Sequence, residues 1–506
     1  MVNLATSNEV LLGIDVGSSG CKVVAIDAAG AIVAEASHPY PTHYPRPGWA
    51  EQDATDWYEA SVAAARACVL ALGGASVAAI AVDGPAHNVV ILGALDEPLA
   101  PVIHWSDLRS ASQADRLETE IGRRVFEVTY QRVNPLWTLP QLLWVREHRP
   151  SVLDGAHKIL VTKDYVRYRL VGDYATDPYD AVGTQLFAAG DLRWSEELCD
   201  RIGLSTHAMP TVRAPAEVAG GLLPQAAADI GLTAGIPVVT GSGDTVIEAM
   251  AVGVTEPGDA LVKLASSGIV IAVADRPLPS REIQTYPHVI PDRWIGLAGT
   301  NSGAGIVRWF ADVFLSGRNA GVDAINEMAA GVSPGAEGLL LLPYLSGARS
   351  PLWNPHVRGQ FSRVTPRHTV DHFARATLEG VAFSVRHAAE ALDSAGYRRE
   401  ELRLIGGGVR GDAWAQIVVD VFGTPARRHN VDAPAYGSAL LAGIGIGWFS
   451  WDSLPALSEA SSRRFEPSPT ASDTYNRVFA EYKRMAETAT ELATELADLS
   501  GGPDAS

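Results

Sequence analysis

Cysteine is nearly absent: Cys21, Cys68 and Cys199 are the only three in 506 residues, and they stand far apart. An odd number at such spacing suits neither a disulfide framework nor a zinc cluster, and a reducing cytoplasm is the simplest setting. Basic charge is also short. Forty Lys and Arg face 58 Asp and Glu for a net charge of −18, with no basic cluster, so nucleic acid and anionic membrane surfaces are not expected partners. No apolar run approaches membrane-spanning length, and the opening MVNLATSNEVLLGID lacks a basic segment followed by an apolar stretch and a cleavage site. Neither membrane insertion nor secretion is expected. The GxxxxGK[ST] string is missing, which removes the P-loop route to phosphate binding. Long polar tracts are missing too, and a composition of 47% hydrophobic and 19% charged residues is that of a chain that folds.

A chain of 506 residues exceeds what one hydrophobic core usually holds, so two domains are expected, with a small-molecule site in the cleft between them. The strongest local signal is VLLGIDVGSSGCKVVAID, two β-rich apolar runs around a Gly/Ser turn from Gly17 to Gly20, which reads as a β-hairpin. ALVKLASSGIVIAVAD repeats the idea with Ser266, Ser267 and Gly268 at its turn. The chain therefore reads as two related halves, 1–255 and 256–500. Between the hairpins, helical ATDWYEASVAAARACVLAL alternates with strand-like VAAIAVDG, HKILVT and GIPVVT, a pattern that favours an α/β fold.

Asp15 ends an apolar strand immediately before the first Gly/Ser turn. From there a carboxylate can hold hydrated Mg2+ while turn amides and the hydroxyls of Ser18 and Ser19 face phosphate oxygens, with Lys22 extending the site. A polar turn on an ordinary hairpin is the plainer reading. The matching turn at Ser266, Ser267 and Gly268 favours phosphate, since two such hairpins could hold a triphosphate from both sides.

Taken in order, GIDVGSSGCK, WSDLRS, KDYVRYRLVGDYATDPYDAVGT, GSGDT, KLASSG, PYLSGARSPLWNPHVRGQF, ARATLEGVAFSVRH, LIGGGVRGDAW and APAYGSALLAG resemble the FGGY family of carbohydrate kinases over most of the chain. Within it they are most similar to the xylulokinases. The resemblance implies two actin-like (ribonuclease H-like) ATPase domains with a catalytic cleft between them, and ATP-dependent phosphorylation of a small sugar, D-xylulose first, with Mg2+. It aligns Asp244 of GSGDT with the family's catalytic aspartate, a general base for the attacking hydroxyl; an isolated aspartate after a strand is otherwise most often a turn residue. Ala86, His87, Trp105, Asp107 and Thr245 become candidate sugar contacts, although Asp107 and Arg109 could equally form an internal ion pair beneath Trp105. Asp177 and Asp180 could brace loops or touch sugar. For ATP, the resemblance points to Gly407, Gly408 and Asp412 of GGGVRGD, where glycines would let a nucleotide approach the backbone, and to Gly303 of NSGAG. A homodimer is the default for a soluble oligomer.

One departure falls where substrate is chosen: Gly84 to Asn88 reads GPAHN where xylulokinases show GQMHG. Two others remove no reacting group: Gln141 stands where lysine is frequent, and Gly359 to Val364 reads GQFSRV where the family often continues Gly-Phe-x-Gly-Leu. Two readings outside the family compete. Gly406, Gly408 and Gly411 satisfy GxGxxG, with Asp432 at the distance of a ribose contact, as in an NAD-dependent dehydrogenase; the two Ser/Gly hairpins and GSGDT are then unexplained. A non-kinase actin-like ATPase would have no need of Asp244.

Overall fold

The computed structural model describes residues 8–315, 322–429, 433–455 and 462–499. The chain divides into two compact units: 1–253 with 286–294 and 432–457, and 254–285 with 295–431 and 458–506. The division is not a single cut, because both a short excursion and a later helix return to the first unit.

In the first unit, strands Glu9–Val16, Gly20–Ile26 and Ile32–Pro39 run as an antiparallel meander. Strand Ser76–Gly84 lies parallel to the first, Pro237–Val239 lies parallel beside it, and Val218–Gly221 closes the edge antiparallel. The central strand is almost continuously apolar because both of its faces are covered. Leu12, Ile14 and Val16 pack with Trp57, Ala60 and Ala64 of helix Ala54–Ala71. On the opposite face, Gly13 meets helix Ala433–Gly445 so closely that a Cβ would stand 1.9 Å from the Ala435 carbonyl oxygen. A satellite core under Val89–Leu92 and Lys158–Val161 gathers helices Ala111–Thr129 and Thr138–His148.

The second unit repeats this plan. Gly258–Leu264 and Gly268–Ala274 form the hairpin, with Trp294–Thr300 next in order. Arg399–Ile405 and Ala426–His429 follow in parallel, and Ser462–Phe465 closes the edge antiparallel. Helix Val370–Ala395 crosses the core. The last helix, Pro469–Leu499, docks through buried Tyr475, Phe479, Tyr482 and Ala486, a helical stripe at i, i+4, i+7 and i+11. Buried Arg375, Glu379 and Tyr475 tie the two helices together: Arg375 Nε donates to Glu379 Oε1 at 2.6 Å and Tyr475 Oη donates to the same oxygen at 2.8 Å. No helix among the described residues is long and apolar enough to cross a membrane.

Candidate active site

The first unit collects its carboxylates at the carboxyl ends of adjacent strands, where open α/β sheets bind ligands. Asp15 and Asp83 are cross-strand neighbours in register, and Ser242 pairs with Asp83 from the next strand. Asp244 follows two residues on. Its carboxylate does not ride a flexible loop as the glycines around it suggest: it opens helix Asp244–Ala251, with Gly243 as N-cap, where an acidic side chain is favoured by the helix dipole. Gly243 is wedged against the Tyr179 ring, 2.4 Å from where its Cβ would stand. Thr245 Oγ1 donates to Asp244 Oδ1 at 3.0 Å.

Asp83 is the residue the sequence did not disclose. It is fully buried, and Ser438, from the helix that returns late in the chain, donates to its Oδ2 at 2.5 Å. Burial first, then the facing Asp15 carboxylate, pushes its carboxyl well above the usual range.

The Gly/Ser turn beyond Asp15 closes with Gly17 N donating to the Gly20 carbonyl at 3.0 Å, and Ser18 and Ser19 are exposed at its tip. Lys22 lies opposite Asp15 across the hairpin and pairs with Glu35 at 3.0 Å. The turn borders an open groove of about 800 Å3 lined by Asp15, residues 17–22 and residues 35–39.

His87 and Trp105 stand near this end of the sheet. His87 adopts φ +79°, a strained conformation for a residue with a Cβ, and its Nδ1 lies 2.7 Å from the Gly183 carbonyl. A carbonyl only accepts, so Nδ1 donates there; in the neutral ring Nε2 is then left as an acceptor. Half-exposed Trp105 donates its backbone N–H to Asn88 at 2.6 Å and its indole N–H to Ser18 Oγ at 3.2 Å. Two further expected sugar contacts lie below the surface. Ala86 is buried. Asp107 is buried as well: its Oδ1 accepts from Arg109 N and Nε, and its Oδ2 from Ala50 N and Arg109 Nη2. That arginine sits 3.7 Å from the Trp49 ring centroid and pairs with Glu51. The ion pair braces the loop. Asp177 and Asp180 are fully buried beside Lys163 and likewise brace.

In the second unit the expected nucleotide residues converge on the end of strand Gly258–Leu264. Gly303 lies over the Ser266–Gly268 turn, where a Cβ would be 2.4 Å from the Ser267 carbonyl, and Ala304 N and Gly305 N donate to the carbonyls of Ala265 and Ser266 at 2.7 and 3.2 Å. Gly408 is packed between Trp414 and the Leu264 carbonyl, so its lack of a side chain serves packing, whereas Gly407 is exposed, with nothing within 4 Å of where a Cβ would stand. Asp412 is committed to Arg428, 2.9 Å from Oδ1, and to Arg463; it anchors the turn with its carboxylate half exposed. The GxGxxG run sits in a short 3-10 turn of a mixed sheet, which lacks the all-parallel dinucleotide-binding order. Asp432 lies outside the described residues.

Two α/β units that repeat one strand order, each with a Gly/Ser hairpin at its centre, define an actin-like, ribonuclease H-like ATPase fold. Models of the FGGY family of carbohydrate kinases match residues 10–251 as its N-terminal domain and 261–446 as its C-terminal domain. The xylulose kinase of Escherichia coli is 34% identical over 438 residues, 86% of this chain and 89% of its own. That of Bacillus subtilis is 30% identical over 494 residues, 96% and 98%. The crystal structure of a Brucella ovis xylulose kinase aligns with a TM-score of 0.89 at 30% identity, covering 96% of this chain and 100% of that one. The chain belongs to the FGGY family of carbohydrate kinases, and it is an ATP-dependent sugar kinase.

Proposed function

We propose that the protein phosphorylates D-xylulose to D-xylulose 5-phosphate, with Asp244 as general base. The convergence of Asp244, Asp15 and His87 at one end of the first unit's sheet carries this reading, together with similarity to xylulose kinases. Asp244 accepts the proton of the sugar hydroxyl as its oxygen attacks the γ-phosphorus, held in that role by the helix it begins. His87 Nε2 accepts from another sugar hydroxyl, and the Trp105 ring forms a wall. Thr245 orients the base. In the second unit, Ser266, Ser267, Gly268 and Gly303 supply backbone amides and hydroxyls to phosphate oxygens, and the open backbone at Gly407 admits the nucleoside.

Asp15 is half-buried at a strand end beside a roomy groove, which fits a hydrated Mg2+ carried in by the nucleotide. Among the described residues no group of three or more His, Cys, Asp or Glu is arranged as a metal cage, and Mg2+ needs none, since it binds through one or two carboxylates, phosphates and water. Bound there, the ion would neutralise phosphate charge; Ser18, Ser19 and Lys22 add donors to the same oxygens.

The test is ADP release from MgATP across ketopentoses, aldopentoses and tetritols to hexitols, with a no-sugar control. A response dominated by D-xylulose is expected. Preference for ribulose, erythritol or another alditol is the alternative, favoured by Pro85 and Ala86 in the histidine loop, and would move the acceptor while keeping the site. No response to any sugar would overturn the proposal.

A further inference from the structure

A buried charge network lies directly behind Asp244. Lys163 Nζ stands 2.6 Å from Asp164, 3.1 Å from Asp177 and 3.2 Å from Asp180, and all four side chains are at most 1% exposed. Arg167 joins through Asp164 at 3.5 Å, also fully buried. Burial alone would strip the proton from Lys163, but the three carboxylates outweigh it and hold the ammonium charged. Burial pushes the Asp180 carboxyl well above its usual range despite Lys163. Such a network stabilises little on its own account, because desolvation offsets its attraction.

One hydroxyl links it to the segment before Asp244. Ser242 Oγ donates to Asp177 Oδ2 at 2.6 Å, and the same oxygen caps helix Pro178–Gly183 through Tyr179 N at 3.1 Å. Ser242 and Gly243 form a strand of only two residues, paired with Asp83 and Gly84. Gly241, at φ +79°, passes so near Val82 that a Cβ would lie 2.0 Å from its carbonyl oxygen. The segment leading into Asp244 is thus held by strand pairing on one side and by the Asp177 carboxylate on the other.

We propose that Ser242, anchored by Asp177 and Lys163, is a positioning residue that fixes the direction in which Asp244 presents its carboxylate. The inference rests on Asp244 being the base. Ser242 lies behind that residue, and its hydroxyl is engaged inward. Removing the hydroxyl leaves the backbone pairing intact but frees the segment to shift by a fraction of an ångström, a scale at which proton transfer and in-line attack are sensitive.

Ser242→Ala is expected to lower kcat about 10- to 100-fold while the KM for ATP stays within about twofold and the thermal midpoint within a few degrees. Ser242→Thr, which keeps the hydroxyl, should recover most of kcat, and Asp177→Asn, which weakens the acceptor, should fall between. Wild-type kcat in Ser242→Ala would overturn the proposal, as would a kcat loss matched by an equal loss of ATP affinity and of folded protein. Asp244→Ala alongside separates the two claims. Turnover in that variant would sink the base assignment, whereas a dead Asp244→Ala with an unaffected Ser242→Ala would sink only the positioning role.

Discussion

The two Gly/Ser hairpins share one topology and differ in what stands around them. The first is preceded by Asp15, with Lys22 opposite it and Asp83 on the neighbouring strand. In the second, Lys263 holds the place of Asp15, paired with Ile269 on the facing strand, and the backbone of residues 303–305 lies directly over the turn. In the first, two carboxylates meet at the strand end; in the second, a lysine stands there and Gly303 lets backbone close over the turn. The same hairpin is thus flanked by carboxylates in one unit and overlain by backbone in the other, and the two should respond differently to substitution.

The largest expected contrast is Asp15→Ala against Ser267→Ala. The first should lower turnover by about 1000-fold or more and the second by less than about tenfold, because backbone donors survive loss of a hydroxyl; steady-state ADP release decides. Comparable losses would break the comparison. Glycines should show the reverse pattern. Gly303→Ala forces a Cβ to 2.4 Å from the Ser267 carbonyl and is expected to cost about 2–4 kcal/mol of stability, read by denaturant unfolding. Gly407→Ala meets no protein atom, so stability should hold while the KM for ATP rises several-fold.

Acid stability sharpens the comparison further. Burial lowers His104 in the first unit, and His387 and His429 in the second, to about 4. A histidine depressed below its unfolded value of roughly 6.5 leaves the unfolded state binding more protons as pH falls. Stability is therefore full above about 6.5 and lost on descent toward 4, by about 1–3 kcal/mol for each residue. Thermal midpoints should fall across that window, and His387→Phe, set among Phe479 and Tyr482, should flatten the slope. The smallest expected effect is Trp105→Phe, which keeps the ring but loses the indole hydrogen bond to Ser18; the sugar KM should rise a few-fold with little change in kcat.

Much of this was legible in the chain because it is local. Each hairpin announces itself through two apolar runs around a Gly/Ser turn, and GSGDT and GGGVRGD mark strand ends by their glycines. The rest depends on segments far apart in sequence. Asp83 is one acidic letter in an apolar strand, and only the register with Asp15 and the hydroxyl of Ser438 give it meaning. Lys163, Asp177 and Ser242 come together from three stretches. Helix Ala433–Gly445 packs on Gly13, more than 400 positions earlier in the chain. For Asp107 and Asp412, residue type and spacing could not separate a carboxylate offered to ligand from one neutralised by arginine. The distinction lies in burial and partners.

The most direct test measures Asp244→Ala twice, for turnover with the preferred sugar and for MgATP affinity by equilibrium binding. The account requires turnover to vanish while MgATP binds within a few-fold of wild type. Retained turnover, or equal loss of turnover and binding, would contradict it.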